Sequence, residues 1–347
     1  MNTLILDIGC SNTKFSFYEY NTRVDEIVID TPAIPDKDMI DDLKGFFDEQ
    51  IYTRQVNIIL PISYSDSIWY LTKDGEAHHI PVFSDIKQQE DVPHYNVSGK
   101  PKNSQLLGIA HQLMHLKKNV GLENIKTILP TSTFVAAMLT GKNYWNTWDR
   151  THASNSGMWD YENNRWCQQM QPFIQAGVIR HKVVNPDCIL HIEPSREQKW
   201  LIGGHDSVFA VANDTPYSAK PYLSLGTWIT ASVEGWFKHR AENNTTRFVI
   251  APNGTILEQL CFRANENEHD KAIRKTMAFF ERRLPKGTQP RRINVFGGWS
   301  KDGQKMWKKA NGFEFVHKDQ NFNDFLHNEA VKYALEKYQN LQGQKVV

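Results

Sequence analysis

Two aspartates and two glycine turns are the residues of this chain whose types and spacing could do chemistry. Asp7 ends the apolar run LILD, a turn of Gly9, Ser11 and Asn12 follows, and Lys14 opens an alternating strand. Asp206 closes the segment GGHD, Gly203 to Asp206, just upstream of YLSLGTWITASV, whose own turn lies at Gly226 and Thr227. Glycine lets a backbone approach an anion closely, and the amides and hydroxyls of such turns can cradle phosphate. Two such turns can grip one polyphosphate from opposite sides, which points to a nucleotide-dependent enzyme. Phosphoryl transfer asks a protein for positioning, anion stabilisation, a divalent metal and often a carboxylate near the attacking hydroxyl. Asp7 suits a metal-bound water network. Asp206, at the expected start of a helix from Ser207 to Ala212, suits the base. Taken singly, each aspartate is more often a turn or cap residue, and Lys14 a solvated strand residue. The pairing of both with Gly-Ser/Thr turns is what favours the chemistry.

A third glycine turn, VFGGWSKDG from Val295 to Gly303, follows a strand and precedes a helix, a common packing junction when met alone. There is no GxxxxGK and no GxGxxG after a strand, so neither a P-loop nor a dinucleotide-binding Rossmann motif is supported. The histidines lack metal-ligand spacing, and no GxSxG elbow accompanies the serines. Trp145, Trp148, Trp159 and Trp166 cluster in one stretch. They read either as rings stacking on a sugar face or as core packing.

The elements that must position these residues alternate between strand and helix. After the first hairpin, Ile27 to Ile29 reads as a third strand. Lys37 to Gln50 reads as a helix with Ile40, Leu43, Phe46 and Phe47 on one face. Val56 to Ser63 is a continuous apolar run suited to a strand covered on both faces. Ser67 to Thr72 and His79 to Phe83 read as a hairpin. Gln105 to Lys118 and Thr131 to Leu139 read as helices, the second stopped at Thr140-Gly141. Asn143 to Trp166 resembles the wall of a cleft, and Val183 to Leu201 an extended crossing between domains. The second half repeats the logic with the 222–233 hairpin, a helix from Glu268 to Leu284, the strand RINVFGG, a helix from Gln304 to Asn311 and a last helix from Asp324 to Gln339.

With 347 residues the chain has room for two cores and a cleft between them. Forty basic against 39 acidic side chains give a formal charge of +1, which does not suggest a general nucleic-acid or anionic-membrane surface. No run approaches the roughly 20 apolar residues of a membrane helix, and the N-terminus enters a strand at once. The four cysteines, Cys10, Cys167, Cys188 and Cys261, are scattered without a CxxC, which reads as reduced thiols in a cytoplasmic protein.

The motifs resemble, in order and over nearly the whole chain, those of the FGGY carbohydrate kinases. DIGCSNTK is similar to the first phosphate motif of that family. Pro130 to Trp166 resembles the family stretch with its Thr-Gly helix end (Thr140-Gly141), its aspartate-threonine pair (Asp149, Thr151) and its Ala-Ser segment (Ala153-Ser154). GGHDSVFAVA looks like the catalytic-aspartate segment, SLGTW like the second phosphate motif and INVFGGWSKDG like the adenosine motif. His205-Asp206 together with LGTW is nearest the rhamnulose and fuculose kinase branch.

The resemblance implies a two-lobed α/β, actin/Hsp70-like ATPase (ribonuclease H-like) fold with an interdomain cleft. The lobes would span 1–198 and 199–347. It implies an ATP- and Mg2+-dependent kinase acting on a hydroxyl of a ketose or related polyol. Asp206 would be the general base, and Asp7 with Asp206 would hold magnesium and its waters. Gly9, Ser11, Asn12, Thr13, Lys14, Gly226 and Thr227 would contact the phosphates, and Gly297, Gly298 and Lys301 the adenosine. Sugar contacts would come from Ser65, Asp66, Asp85, Asp149, His205 and Asp206. The expected partner is a small-molecule sugar, with no nucleic acid and no membrane; a homodimer is left open. The chain departs from the family in its shortened second lobe, in Cys10 for the usual first-turn threonine, and in Phe325-Leu326-His327-Asn328 where small residues are usual. Two other readings stay open: a nucleotide- or sugar-binding protein that has lost turnover, and an actin-like ATPase with a protein partner.

Overall fold

Two apolar segments, 2–8 and 58–63, are buried at almost every position, and the sheet they found is covered on both faces. In the computed structural model the described residues are 1–9, 12–31, 37–64, 68–80, 108–141, 146–161, 163–214, 220–225, 228–235, 246–263, 269–284, 291–296, 309–310, 313–318 and 321–340. The chain opens with the antiparallel ribbon β1 (Asn2–Ile8), β2 (Asn12–Glu19) and β3 (Thr22–Asp30). Helix α1 (Lys37–Arg54) then carries it back to β4 (Ile58–Ser63), which lies parallel to β1.

A small antiparallel sheet follows, built from β5 (Ile68–Thr72), β6 (Ala77–Ile80) and β7 (Ile125–Pro130), with α2 (Ile109–His115) ahead of β7. Next come α3 (Thr131–Thr140), α4 (Arg150–Asn155), the hairpin β8 (Trp159–Asp160) and β9 (Arg165–Trp166), and α5 (Gln171–Gln175). Three strands, β10 (Ile189–Glu193), β11 (Gln198–Leu201) and β12 (Gly204–His205), complete the first seven-stranded sheet. That sheet therefore runs across the 198/199 division expected from the sequence. A second seven-stranded sheet comprises β13 (Tyr222–Leu225), β14 (Trp228–Glu234), β15 (Thr246–Ile250), β16 (Ile256–Arg263), β17 (Arg291–Phe296), β18 (Lys309–Ala310) and β19 (Phe313–His317). Helix α6 (His269–Arg283) covers it, and α7 (Phe322–Asn340) closes the described chain.

Strand alternation sends the two faces of the first sheet to different helices. Leu4, Leu6, Phe15, Phe17 and Ile59 meet Ile40, Leu43, Phe47 and Ile51 of α1. Ile5, Tyr18, Ile58, Leu60 and Ile62 meet Leu326, Ala330, Val331 and Ala334 of α7. This explains why β1 and β4 read as unbroken apolar runs rather than alternating ones.

The α1 and α3 expectations hold, and Gly141 ends α3 in the left-handed conformation at φ +63°. Two expectations are corrected. Residues 309–310 are strand, not helix: Lys309 and Ala310 pair with Glu314 and Phe313 at the sheet edge, where pairing beside the buried Phe313 outweighs local helix preference. The segment Asp206–Val211 is a short 3-10 helix. The rest of the expected 304–311 helix lies outside the described residues. Among the described residues no helix is long and apolar enough to cross a membrane.

Candidate active site

The carboxyl ends of β1, β4 and β12 lie side by side. Asp7 is level with Ile62, which is level with Gly204; on the next rung Ile8, Ser63 and His205 align. Asp7, one residue from the end of β1, and Asp206, the first residue past β12, thus emerge from one edge of the sheet. Two strand spacings of about 4.8 Å set β1 and β12 about 10 Å apart across β4. The carboxyl edge of parallel strands is where open α/β sheets bind ligands.

Asp7 is nearly buried, and its Oδ2 lies 2.9 Å from Nε2 of His327 on α7. A carboxylate only accepts, so the proton of that bond sits on Nε2. The other ring nitrogen is 3.0 Å from Ser16 Oγ, which in turn donates to Glu26 at 2.9 Å. The turn beyond Asp7 is closed by the Gly9 amide donating to the Asn12 carbonyl at 3.0 Å. A Cβ at position 9 would sit 2.7 Å from that carbonyl oxygen, so the turn needs glycine. Asn12 is exposed and Lys14 half-buried beside the turn, Lys14 directly opposite Asp7. Thr13 points to the other face, fully buried, with its hydroxyl 2.8 Å from that of Thr31.

On the far side of β4, Gly203 takes φ +76° and a Cβ there would lie 1.6 Å from the Pro61 carbonyl oxygen. This close pass lets β12 pair with the end of β4 and delivers Asp206 to the edge with its side chain 27% exposed. His205 is buried, its Nε2 3.2 Å from Asp206 Oδ1 and 3.1 Å from Ser207 Oγ. The His205 amide donates to Thr151 Oγ1 at 2.7 Å, and Thr151 donates to Asp149 Oδ1 at 2.5 Å.

Asp149 caps α4 by accepting from the His152 amide at 3.0 Å, and its Oδ2 takes His152 Nδ1 at 2.7 Å. Burial is the largest single influence and pushes its carboxyl upward. The charge of His152 and the hydrogen bonds from His152 and Thr151 together outweigh burial and hold it below the usual carboxylate range. His152 Nε2 lies 3.3 Å from Ser63 Oγ. Ser63, His152 and Asp149 thus stand in the order of a nucleophile, base and carboxylate, yet all three are wholly buried and Ser63 also accepts the Ser132 amide. The chain of contacts ties α4 to β4 and β12 from behind and supports the segment that carries Asp206.

No protein-family model and no curated protein matches the sequence. Solved structures do. A ligand-bound xylulose kinase from Lactobacillus acidophilus superposes with a TM-score of 0.73 at 15% identity, over 97% of this chain and 90% of that chain. A gluconate kinase from Lactobacillus acidophilus gives 0.72 at 14%, over 98% and 89%. Plasmodium falciparum glycerol kinase with ADP gives 0.67 at 11%, over 99% and 93%. The chain has the two-lobed actin/Hsp70-like ATPase fold.

In this two-lobed ATPase fold the described site brings Asp7, Gly9, Asn12, Lys14 and Asp206 to one edge and sets Asp149, His205 and Thr13 within the protein. Ser11, Ser65, Asp66, Asp85, Gly226, Thr227, Gly297, Gly298 and Lys301 lie outside the described residues, as does Trp145. The other three clustered tryptophans are core. Trp148 and Trp159 each meet Trp166 edge-on at 5.4 Å, and all three are buried. Ser63, His152 and His327 carried no motif of their own. The one sequence signal for His327 is a polar residue in register with the apolar stripe Ala330, Val331 and Ala334, a position that demands a buried partner.

Proposed function

We propose that this chain is an ATP-dependent carbohydrate kinase of the FGGY type that transfers the γ-phosphoryl group to a hydroxyl of a ketose or related polyol. The observation that carries the reading is the pair Asp7 and Asp206 at strand ends on either side of β4, one beside a glycine-closed turn, within a fold shared with xylulose, gluconate and glycerol kinases. His205-Asp206 and LGTW favour a substrate of the rhamnulose or fuculose type. Asp206 takes the proton from the attacking hydroxyl as the oxygen bonds to the γ-phosphorus and the bond to the β-phosphate oxygen breaks, leaving ADP. The partly exposed carboxylate can reach substrate while His205 Nε2 and the Ser207 amide, which donates to Oδ1, hold its orientation. The turn at Gly9 and Asn12, Lys14, and the Gly226-Thr227 turn hold the phosphates; Gly297, Gly298 and Lys301 flank the adenosine. Asp149 and Thr151 position the Asp206 segment, and Ser65, Asp66 and Asp85 contact the sugar.

Mg2+ supplies charge neutralisation across the nucleotide phosphates when bound. Among the described residues no three His, Cys, Asp or Glu side chains group to hold a metal. The hard oxygens of Asp7 and Asp206 fit a cation carried by phosphates and water with one or two carboxylates.

ADP release coupled to sugar addition tests the reading, with Asp206→Asn as its control. We expect sugar-dependent turnover that falls by at least roughly two orders of magnitude in the variant, the scale of a lost general base, with folding unchanged. Near-normal turnover in Asp206→Asn rules out the assignment. Hydrolysis independent of sugar points instead to an actin-like ATPase, and binding without turnover to a nucleotide or sugar sensor.

A further inference from the structure

We propose that His327, on the last helix, is a positioning residue that orients Asp7 toward the nucleotide-bound cation; the inference rests on the phosphotransferase reading above. His327 is wholly buried on the face of α7 that otherwise presents Leu326, Ala330, Val331 and Ala334 to the first sheet. A polar ring at such a place is held by what it bonds. Nε2 holds Asp7 Oδ2 at 2.9 Å, and Nδ1 is 3.0 Å from Ser16 Oγ, itself bonded to Glu26 at 2.9 Å. Arg23 bonds the same Glu26 oxygen at 2.9 Å and reaches Asp324 at 2.5 Å, one helical turn before His327. The ring thus meets a partner at each nitrogen, Asp7 of β1 and Ser16 of β2, and Arg23 ties the Glu26 behind Ser16 to Asp324 on the ring's own helix.

With His327 on Oδ2, the carboxylate of Asp7 is held in one orientation for ligand or metal-bound water. Partners that orient a metal-binding carboxylate typically change metal affinity by about 10–100-fold when removed. The last helix therefore sets how well the first phosphate turn takes the metal-loaded nucleotide, across a contact that joins the two ends of the chain.

Mn2+ replaces Mg2+ as the probe, and its binding to the protein with ADP is read by electron paramagnetic resonance and by calorimetry. His327→Leu is expected to weaken Mn2+-ADP binding about 10–100-fold while metal-free ADP binds as in the wild type. His327→Gln, which returns an N–H donor to Asp7, is expected to recover most of the loss. Ser16→Ala keeps the Asp7 bond but frees the ring, and is expected to fall between. A purely structural histidine would lower the melting temperature with metal dependence unchanged, and that result overturns the proposal. Should His327→Leu not fold, Ser16→Ala decides: Mn2+ affinity equal to wild type overturns the proposal. Wild-type protein that binds no Mn2+-ADP overturns the phosphotransferase reading and this inference with it, and is told apart by needing no variant.

Discussion

His79 shows at the residue scale how folding changes a titration. Its ring packs 4.9 Å from that of Trp69, Nε2 is 3.3 Å from the Tyr64 hydroxyl, and Nδ1 is buried without a partner among the described residues. Burial pushes its pKa down to about 3 from 6.5. The unfolded chain takes up the proton first as pH falls. The contribution to stability is therefore complete above pH 6.5 and is lost on the way down to about 3, at a slope of at most about 1.4 kcal/mol per pH unit. Urea titrations between pH 4 and 7 should show this acid slope in the wild type and a shallower one in His79→Gln; identical slopes would contradict the burial argument. Asp149 follows the same sign for a different reason: its depressed carboxyl stabilises the fold above the ordinary range and ceases to once pH falls through its folded value. Asp7 and Asp206 were legible in the sequence because each sits where a short apolar or glycine-rich segment meets a turn. Asp149 was legible as a residue of interest but not as a buried one, since its partner His152, in the first turn of α4, is tied in turn to Ser63 at a strand end 89 positions away. His327 and Asp7 are separated by 320 positions, and no local pattern encodes that bond.

Among the elements, the GGHD segment is the one whose geometry follows most directly from residue type. Gly203 needs a positive φ and the absence of a Cβ at once, and Gly204 leaves only 2.6 Å between a built Cβ and Thr151 Oγ1. Gly203→Ala should cost about 2–4 kcal/mol through strain and a backbone clash, seen as a lowered melting temperature. Gly204→Ala should instead push Thr151 away from the His205 amide and lower turnover more than stability. A wild-type melting temperature in Gly203→Ala would mean that the close pass over Pro61 is not needed. The strands β1 and β4 could be read ahead of the structure because burial on both faces leaves an uninterrupted apolar run. The edge pair β18 and β19 could not, since two residues of strand owe their state to a neighbour across the sheet rather than to their own sequence.

For the molecule as a whole, the question is how two sheets become one machine. Helix α7 spans them: Phe322 and Phe325 stack on Tyr222 and Phe296 of the second sheet, while Leu326 onward lies on the first. A second link is α4 with the chain just beyond it: Ser154 Oγ accepts the Ile250 amide at 2.8 Å, and Tyr161, after β8, donates to the Phe248 carbonyl at 2.5 Å. On the proposed reading, a nucleotide gripped by the β1–β2 turn and by the segment joining β13 to β14 would add a third link. Closing there would exclude water and align the phosphates with the acceptor. Saturating ligand at about 100 times its Kd should raise stability by about 2.7 kcal/mol. The gain should be shared, so hydrogen exchange is the discriminating measurement. Amides of β1 (Asn2–Ile8) and β13 (Tyr222–Leu225) should gain protection together when Mg2+-nucleotide and sugar are both present. Sugar alone should protect the first sheet more than the second, because Asp206 belongs to the first sheet's edge. Protection confined to β1 under full ligand would mean that the second turn takes no part in holding the phosphates, and the two-sided grip would have to be abandoned.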